Sequence, residues 1–254
     1  MSVSNPSILS GKVALVTGGS RGIGAAISRH LAALGATVLV NYNTSSGPAQ
    51  KVVTDIRAAG GKAHAIGGNV GVPADVDKLF AEIDKTHGGK LDILVNNAGV
   101  YITGMLVEAT SEDYSRSFDV NVRAVFEVTR RAAKRLNANG RIITIGSIIG
   151  ERVPFPGGSI YAATKFAVAG FSRGWAREFA SQGITVNVVQ PGPIDTDMNP
   201  DNESNAMAGA MRAMVPLGRY GKAEEVAAVV GFVASPAAAF VNGATINVDG
   251  GVIA

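Results

Sequence analysis

Tyr161 and Lys165 stand four residues apart in SIYAATKFAVAGF, an alanine-rich stretch with the character of a buried helix. Residues at that spacing share one helix face, so a phenol and an ammonium can sit side by side. The spacing alone leaves two readings open: amphipathic side chains at the rim of a core, or a matched acid and base. A free phenol ionises at a pKa of about 10, and a neighbouring cation would favour the phenolate.

A second group of residues suits a phosphate. VTGGSRGIGAAI joins a β-rich run to a helical one, and Gly18, Gly22 and Gly24 allow a tight turn and a close approach to a pyrophosphate. A plain strand-to-helix turn would also use glycine. Its place at the first strand–helix junction of an alternating chain favours nucleotide binding. Charge then selects the nucleotide. An NAD site usually carries an acid near the end of the second strand, where this chain has Asn41, Tyr42 and Asn43. No Asp or Glu precedes Asp55, and Arg21 sits inside the turn. A 2′-phosphate needs a cation and neutral donors, so the expected cofactor is NADP(H).

The elements that must position these groups follow from periodicity. Short Val- and Ile-rich runs alternate with helical patterns: KVALVTGG, ATVLVNY, KAHAIGGNV, LDILVNNAG, GRIITIGS, GITVNVVQPG and GATINVDGG read as strands. Helices are expected over Ile23–Leu34, around Ala49–Ala59, from Pro73, over about Ser111–Leu136, through Tyr161 and from about Ala223. Strands apolar on both faces imply a parallel sheet covered on both sides, an α/β doubly wound, Rossmann-type fold of seven strands. No boundary or linker interrupts residues 1–254, so one domain is expected. The irregular stretch at about 198–221 is a candidate lid over the ligand crevice.

Composition narrows the function classes. Hydrophobic residues make up 46% and charged residues 17%, with 32 glycines and no cysteine. Disulfides, thiolate catalysis and cysteine zinc sites are excluded. A net charge of +3 without a basic, aromatic-interleaved run argues against nucleic acid. MSVSNPSILSGKVALV lacks the features of a signal peptide, and Pro236 breaks the longest apolar run. The expectation is a soluble, cytoplasmic enzyme.

TGGSRGIG, NNAG at 96–99, Asn121 in FDVNV, Ser147 in IGS, and YAATK together resemble the short-chain dehydrogenase/reductase family, in order and from Lys12 to Gly251. Several segments are similar to bacterial 3-oxoacyl-carrier-protein reductases and related ketoreductases. The resemblance implies that Tyr161 protonates the substrate oxygen and that Lys165 lowers the phenol pKa and holds the nicotinamide ribose. It implies that Ser147 hydrogen-bonds the carbonyl oxygen as charge accumulates there. Asn121 would prop open a helix and relay protons through water to the lysine. A serine after a strand, or an asparagine on a helix, is by itself more often structural; the joint occurrence changes the reading.

The same resemblance assigns Gly18, Ser20, Arg21, Gly22, Ile23 and Gly24 to the cofactor, with Asn41, Tyr42, Asn43, Asn69 and Val70. Asn96, Asn97, Ala98 and Gly99 would run along it, and Pro191, Gly192, Ile194 and Thr196 would hold the nicotinamide carboxamide. Tyr161 and Lys165 complete the set. Two departures stand out. The gap from Ser147 to Tyr161 is one residue longer than is common in those reductases, and Asn69 replaces a frequent aspartate beside the adenine. Asp195, Asp197, Asp201 and Glu203 form an acidic group, but no metal is expected. His30, His64 and His87 lie outside the proposed site, and Trp175 is expected to be packing.

The implied function is NADP(H)-dependent reduction of a ketone to a secondary alcohol, with a homotetramer or homodimer expected by resemblance. The competing reading is a nucleotide-sensing protein on the same scaffold. Specificity would reside in Val100–Met105, Gly150–Ile160 and Met198–Val215.

Overall fold

The computed structural model describes residues 7–202, 204 and 206–254; the chain start 1–6, Glu203 and Asn205 lie outside the described residues. In chain order the elements are β1 (Val13–Val16), α1 (Gly22–Ala33), β2 (Thr37–Tyr42), α2 (Ser46–Ala58), β3 (Lys62–Gly67) and α3 (Pro73–His87). There follow β4 (Leu91–Asn96), α4 (Ser111–Phe118), a π-turn (Asp119–Arg123), α5 (Ala124–Ala132) and β5 (Leu136–Ile145). A 3-10 turn (Ile148–Gly150) precedes α6 (Ser159–Glu178), β6 (Thr185–Pro191) and β7 (Ile194–Asp195). The chain closes with α7 (Ala206–Ala213), β8 (Gly221–Lys222), α8 (Ala223–Ala234) and β9 (Thr245–Val248).

Seven strands form one parallel sheet in the order β3-β2-β1-β4-β5-β6-β9, the doubly wound arrangement expected from the alternating pattern. Side-chain alternation along each strand explains the two layers. Ala14, Val16, Val38, Val40, Ile93 and Val95 pack with α1, α2 and α8. Leu15, Leu39 and Leu94 point the other way and pack with α3, α5 and α6. Neither face is left to solvent, so the strands read as continuous apolar runs. The chain leaves β1 for β2 on one side and later enters β4 on its other side. That reversal opens a crevice at the carboxyl ends of the strands.

Two features differ from the sequence expectation. The long helical pattern over Ser111–Leu136 is two helices joined by the π-turn, and α5 ends at Ala132. The inserted residue widens one turn without disturbing the apolar stripe, so periodicity does not reveal it. Strand β5 consequently begins at Leu136 rather than near Gly140, its register with β4 shifting between Leu91 and Ile93. A two-residue pairing of β7 with β8 also brackets α7, too short to be read from sequence.

Candidate active site

The crevice is a cavity of about 1130 Å³, lined by every residue assigned above to the cofactor except Asn96. Asn96 is buried and donates from Nδ2 to Thr129 Oγ1 at 2.9 Å, so its place is the sheet. Asn97 ties β4 to the glycine turn, donating from Nδ2 to the carbonyls of Thr17 at 2.9 Å and Gly18 at 3.1 Å. The turn itself is compact. A Cβ on Gly24 would lie 2.3 Å from the Gly18 carbonyl oxygen, so any larger residue would force the turn apart. Helix α1 starts here with no acid in its first turn and no side-chain cap from Arg21. Its leading N–H groups and positive dipole end suit an anion.

At the end of β2 the side chains divide the work. Asn41 is buried and accepts from the Gly18 N–H at 3.4 Å, while its Nδ2 donates to the carbonyls of Ile66 at 3.3 Å and Gly68 at 3.0 Å. Its amide is therefore engaged in holding β2, β3 and the turn together. Arg21 is exposed, lines the cavity with Asn43, Thr44 and Ser45, and makes no ion pair among the described residues. The acids that line the cavity are Glu112, Asp119 and Asp197, none of them on β2 or the turn after it. Asn69 closes its own turn by accepting from the Gly71 N–H at 3.0 Å.

The residues expected to react come from three elements. Ser147 follows β5 and caps the 3-10 turn, its Oγ accepting from the Ile149 N–H at 3.3 Å. Tyr161 and Lys165 lie one turn apart on α6, with Nζ 5.5 Å from the Tyr161 ring centroid. Nζ donates to the Ile145 carbonyl at 3.0 Å. A Cβ on Gly150 would lie 2.9 Å from the Lys165 carbonyl carbon, so the glycine lets the turn after Ser147 pack directly on α6. Asn121 sits in the π-turn at 2% exposure and does not line the cavity. It grips Val100 instead, accepting from its N–H at 2.8 Å and donating to its carbonyl at 2.9 Å.

Burial, rather than the ammonium, governs the charges. It pushes the Tyr161 phenol above its ordinary value, an effect reinforced by Tyr101 and opposed by the Ser147 hydroxyl. The same burial takes Lys165 down to about 8. The expected lowering by Lys165 is absent; burial sets the direction, because ionising a phenol away from water is costly. Tyr161 is neutral at neutral pH, the form that donates a proton.

The lysine shift carries a stability consequence. With a folded value of about 8 against 10.5 unfolded, the folded protein binds fewer protons between those limits. Stability therefore rises with pH across that window, by about 3 kcal/mol if the whole shift is realised. Urea unfolding from pH 7.5 to 10 should show this rise in the wild type without added nucleotide. Lys165→Met should flatten it.

The opposite wall of the cavity is apolar. Tyr101 meets the Tyr161 ring edge-on, centroids 4.9 Å apart at 88°. Phe155, Met198, Met211, Met214 and Val252 continue the lining. The C-terminal Val252 and Ile253 pack against the cluster of Ile148, Ile149 and Ala162, held by Asp249, whose carboxylate accepts from the Gly251 and Ile253 N–H groups. Their role follows no sequence pattern, since they lie beyond the last strand. Tyr101 falls within the specificity stretch expected from sequence, but its contact with Tyr161 was not readable there. His30, His64 and His87 do not line the cavity, and Trp175 stacks on Phe171 at 5.1 Å. Asp195 accepts from the Asp201 N–H at 2.9 Å and Asp201 pairs with Arg212. Among the described residues no helix is long and apolar enough to cross a membrane.

A family model described as enoyl-(acyl carrier protein) reductase matches residues 18–253. A 3-oxoacyl-[acyl-carrier-protein] reductase of Synechocystis is 44% identical over 96% of this chain and 98% of its own length. The cyclic-di-GMP-binding biofilm dispersal mediator protein of Escherichia coli is 41% identical, covering 94% and 96%. The crystal structure of a short chain dehydrogenase from Burkholderia cenocepacia in complex with NADP aligns with a TM-score of 0.93 at 46% identity, covering 97% of this chain and 99% of that one.

Proposed function

The chain belongs to the short-chain dehydrogenase/reductase family, and we propose that it is an NADP(H)-dependent reductase of ketones, reversible as a secondary-alcohol dehydrogenase. The observation that carries this reading is the convergence of Ser147, Tyr161 and Lys165 on the cavity that also holds the glycine turn and Arg21. The residues present fit the cofactor. The tight turn and open start of α1 suit a pyrophosphate, and Arg21 beside Asn43, Thr44 and Ser45 suits a 2′-phosphate.

When bound, NADPH supplies the hydride that reduces the carbonyl carbon. The chain's own residues manage the oxygen. The Ser147 hydroxyl orients the carbonyl, and neutral Tyr161 gives its phenolic proton to the oxygen as negative charge develops there. Protonated Lys165 stabilises the phenolate left behind, a role available at and below a pH of about 8. The apolar wall of Tyr101, Phe155 and the methionines keeps water from the reacting carbon. In the reverse direction Tyr161 is the base. Substrates are small-molecule carbonyls or alcohols; a 3-oxoacyl thioester is one candidate, by analogy with the Synechocystis relative. We also assign the protein to the cytoplasm as a homotetramer or homodimer, with the exposed Phe126, Phe166 and Phe240 as contact residues.

The test is NADPH and NADH oxidation against β-ketoesters, diketones, aldehydes and cyclic ketones, with the alcohol product identified. Alcohol formation with a clear preference for NADPH is expected. Tight binding of another nucleotide with no turnover anywhere in the panel would favour the nucleotide-sensing alternative, which the Escherichia coli relative keeps in view.

A further inference from the structure

Thr164 is fully buried on α6, and its hydroxyl makes two hydrogen bonds. It donates to the Tyr161 carbonyl at 2.7 Å and pairs with Asn121 Nδ2 at 3.2 Å. A hydroxyl has one proton, so with that proton on the carbonyl it can only accept from Asn121. The amide orientation is thereby fixed. Nδ2 gives its hydrogens to Thr164 and to the Val100 carbonyl, and Oδ1 is left to receive the Val100 N–H. Val100 is clamped on both peptide groups, and the next residue, Tyr101, meets the Tyr161 ring edge-on. The contacts form a closed circuit that leaves Tyr161 by its carbonyl and returns to its ring.

We infer that Thr164 is a positioning residue which, through Asn121 and the Val100 backbone, sets Tyr101 against Tyr161 and so holds the phenol in register with the substrate wall. The inference rests on the reductase reading for its kinetic consequence, though not for the clamp itself. Back-bonding within a helix is common for threonine and would explain the first hydrogen bond alone. The second crosses from α6 to the π-turn, where nothing in helix formation requires it. Without the hydroxyl, one Asn121 hydrogen has no acceptor there, and the amide loses its hydrogen bond to α6.

Thr164→Val keeps the shape and removes the hydroxyl; Thr164→Ser keeps the hydroxyl; Thr164→Ala removes it without adding bulk. Each is compared with wild type for kcat, carbonyl KM, NADPH affinity, and hydrogen exchange of the segment containing the Val100 amide. In Thr164→Val, and in Thr164→Ala, kcat should fall about tenfold with NADPH affinity within about twofold, since small misplacement of a reacting group is costly. The Val100 amide should exchange faster in both, and Thr164→Ser should restore rate and protection together. Wild-type kcat and exchange in the hydroxyl-free variants would overturn the inference, as would an equal loss in Thr164→Ser. If the wild type reduces no carbonyl, the reductase reading fails, and exchange at Val100 alone decides the clamp.

Discussion

Tyr161→Phe should lower kcat for carbonyl reduction by about three orders of magnitude while leaving NADPH affinity within about threefold. General acids contribute between about a hundredfold and ten-thousandfold, and of the hydroxyls lining the cavity Tyr161 is the one with a lysine one helical turn on. Ser147 is the nearest candidate, but it lies at the end of a strand and serves the oxygen from the side of the 3-10 turn. The variant isolates chemistry from structure because the ring, not its oxygen, makes the packing contacts. Tyr161 packs against the cluster of Ile148, Ile149 and Ala162, and Tyr101 meets its ring edge-on irrespective of the hydroxyl. Steady-state rates with a titration of NADPH fluorescence separate the two effects. Retention of more than about a tenth of wild-type turnover would assign the proton to another group.

Arg21→Ala should reduce kcat/KM for NADPH by about 30- to 100-fold and leave that for NADH within about threefold. Hydrogen bonds to a charged group contribute about 1.5–3 kcal/mol, and a guanidinium on a phosphate makes them in parallel. The sign follows from the neighbourhood. No acid of the cavity lies on β2 or the turn after it, so the wild type has no carboxylate there to favour a ribose 2′-hydroxyl or to repel a phosphate. Asn41 cannot substitute for the arginine, because both of its Nδ2 contacts are to carbonyls of the sheet edge. Equal losses for the two nucleotides would move the role of Arg21 from the 2′-phosphate to the turn itself.

The sheet was readable in the sequence because its physics is local. The central strands are buried on both faces and read as apolar runs, the edge strand β3 mixes buried and exposed positions, and the turns between strands carry glycine. The seven runs from KVALVTGG to GATINVDGG therefore mark the seven strands of the large sheet. The π-turn was not readable, since one extra residue in Asp119–Arg123 leaves the amphipathic pattern nearly intact. The cavity lining was foreseen where a motif specifies backbone geometry, as in the glycine turn, and not where packing decides. Tyr101 meets the Tyr161 ring through a tertiary contact that no spacing encodes. Charge was half readable: the missing acid near β2 is a matter of composition, whereas the burial that raises Tyr161 and lowers Lys165 depends on the finished enclosure.

The most direct measurement of the central claim follows deuterium from NADPH labelled at the reactive carbon of its nicotinamide into the product of a reduced ketone. Wild-type protein should yield a secondary alcohol carrying one deuterium on the carbinol carbon, and Tyr161→Phe should yield almost none under the same conditions. Alcohol without deuterium, or undiminished labelled alcohol from Tyr161→Phe, would contradict the account.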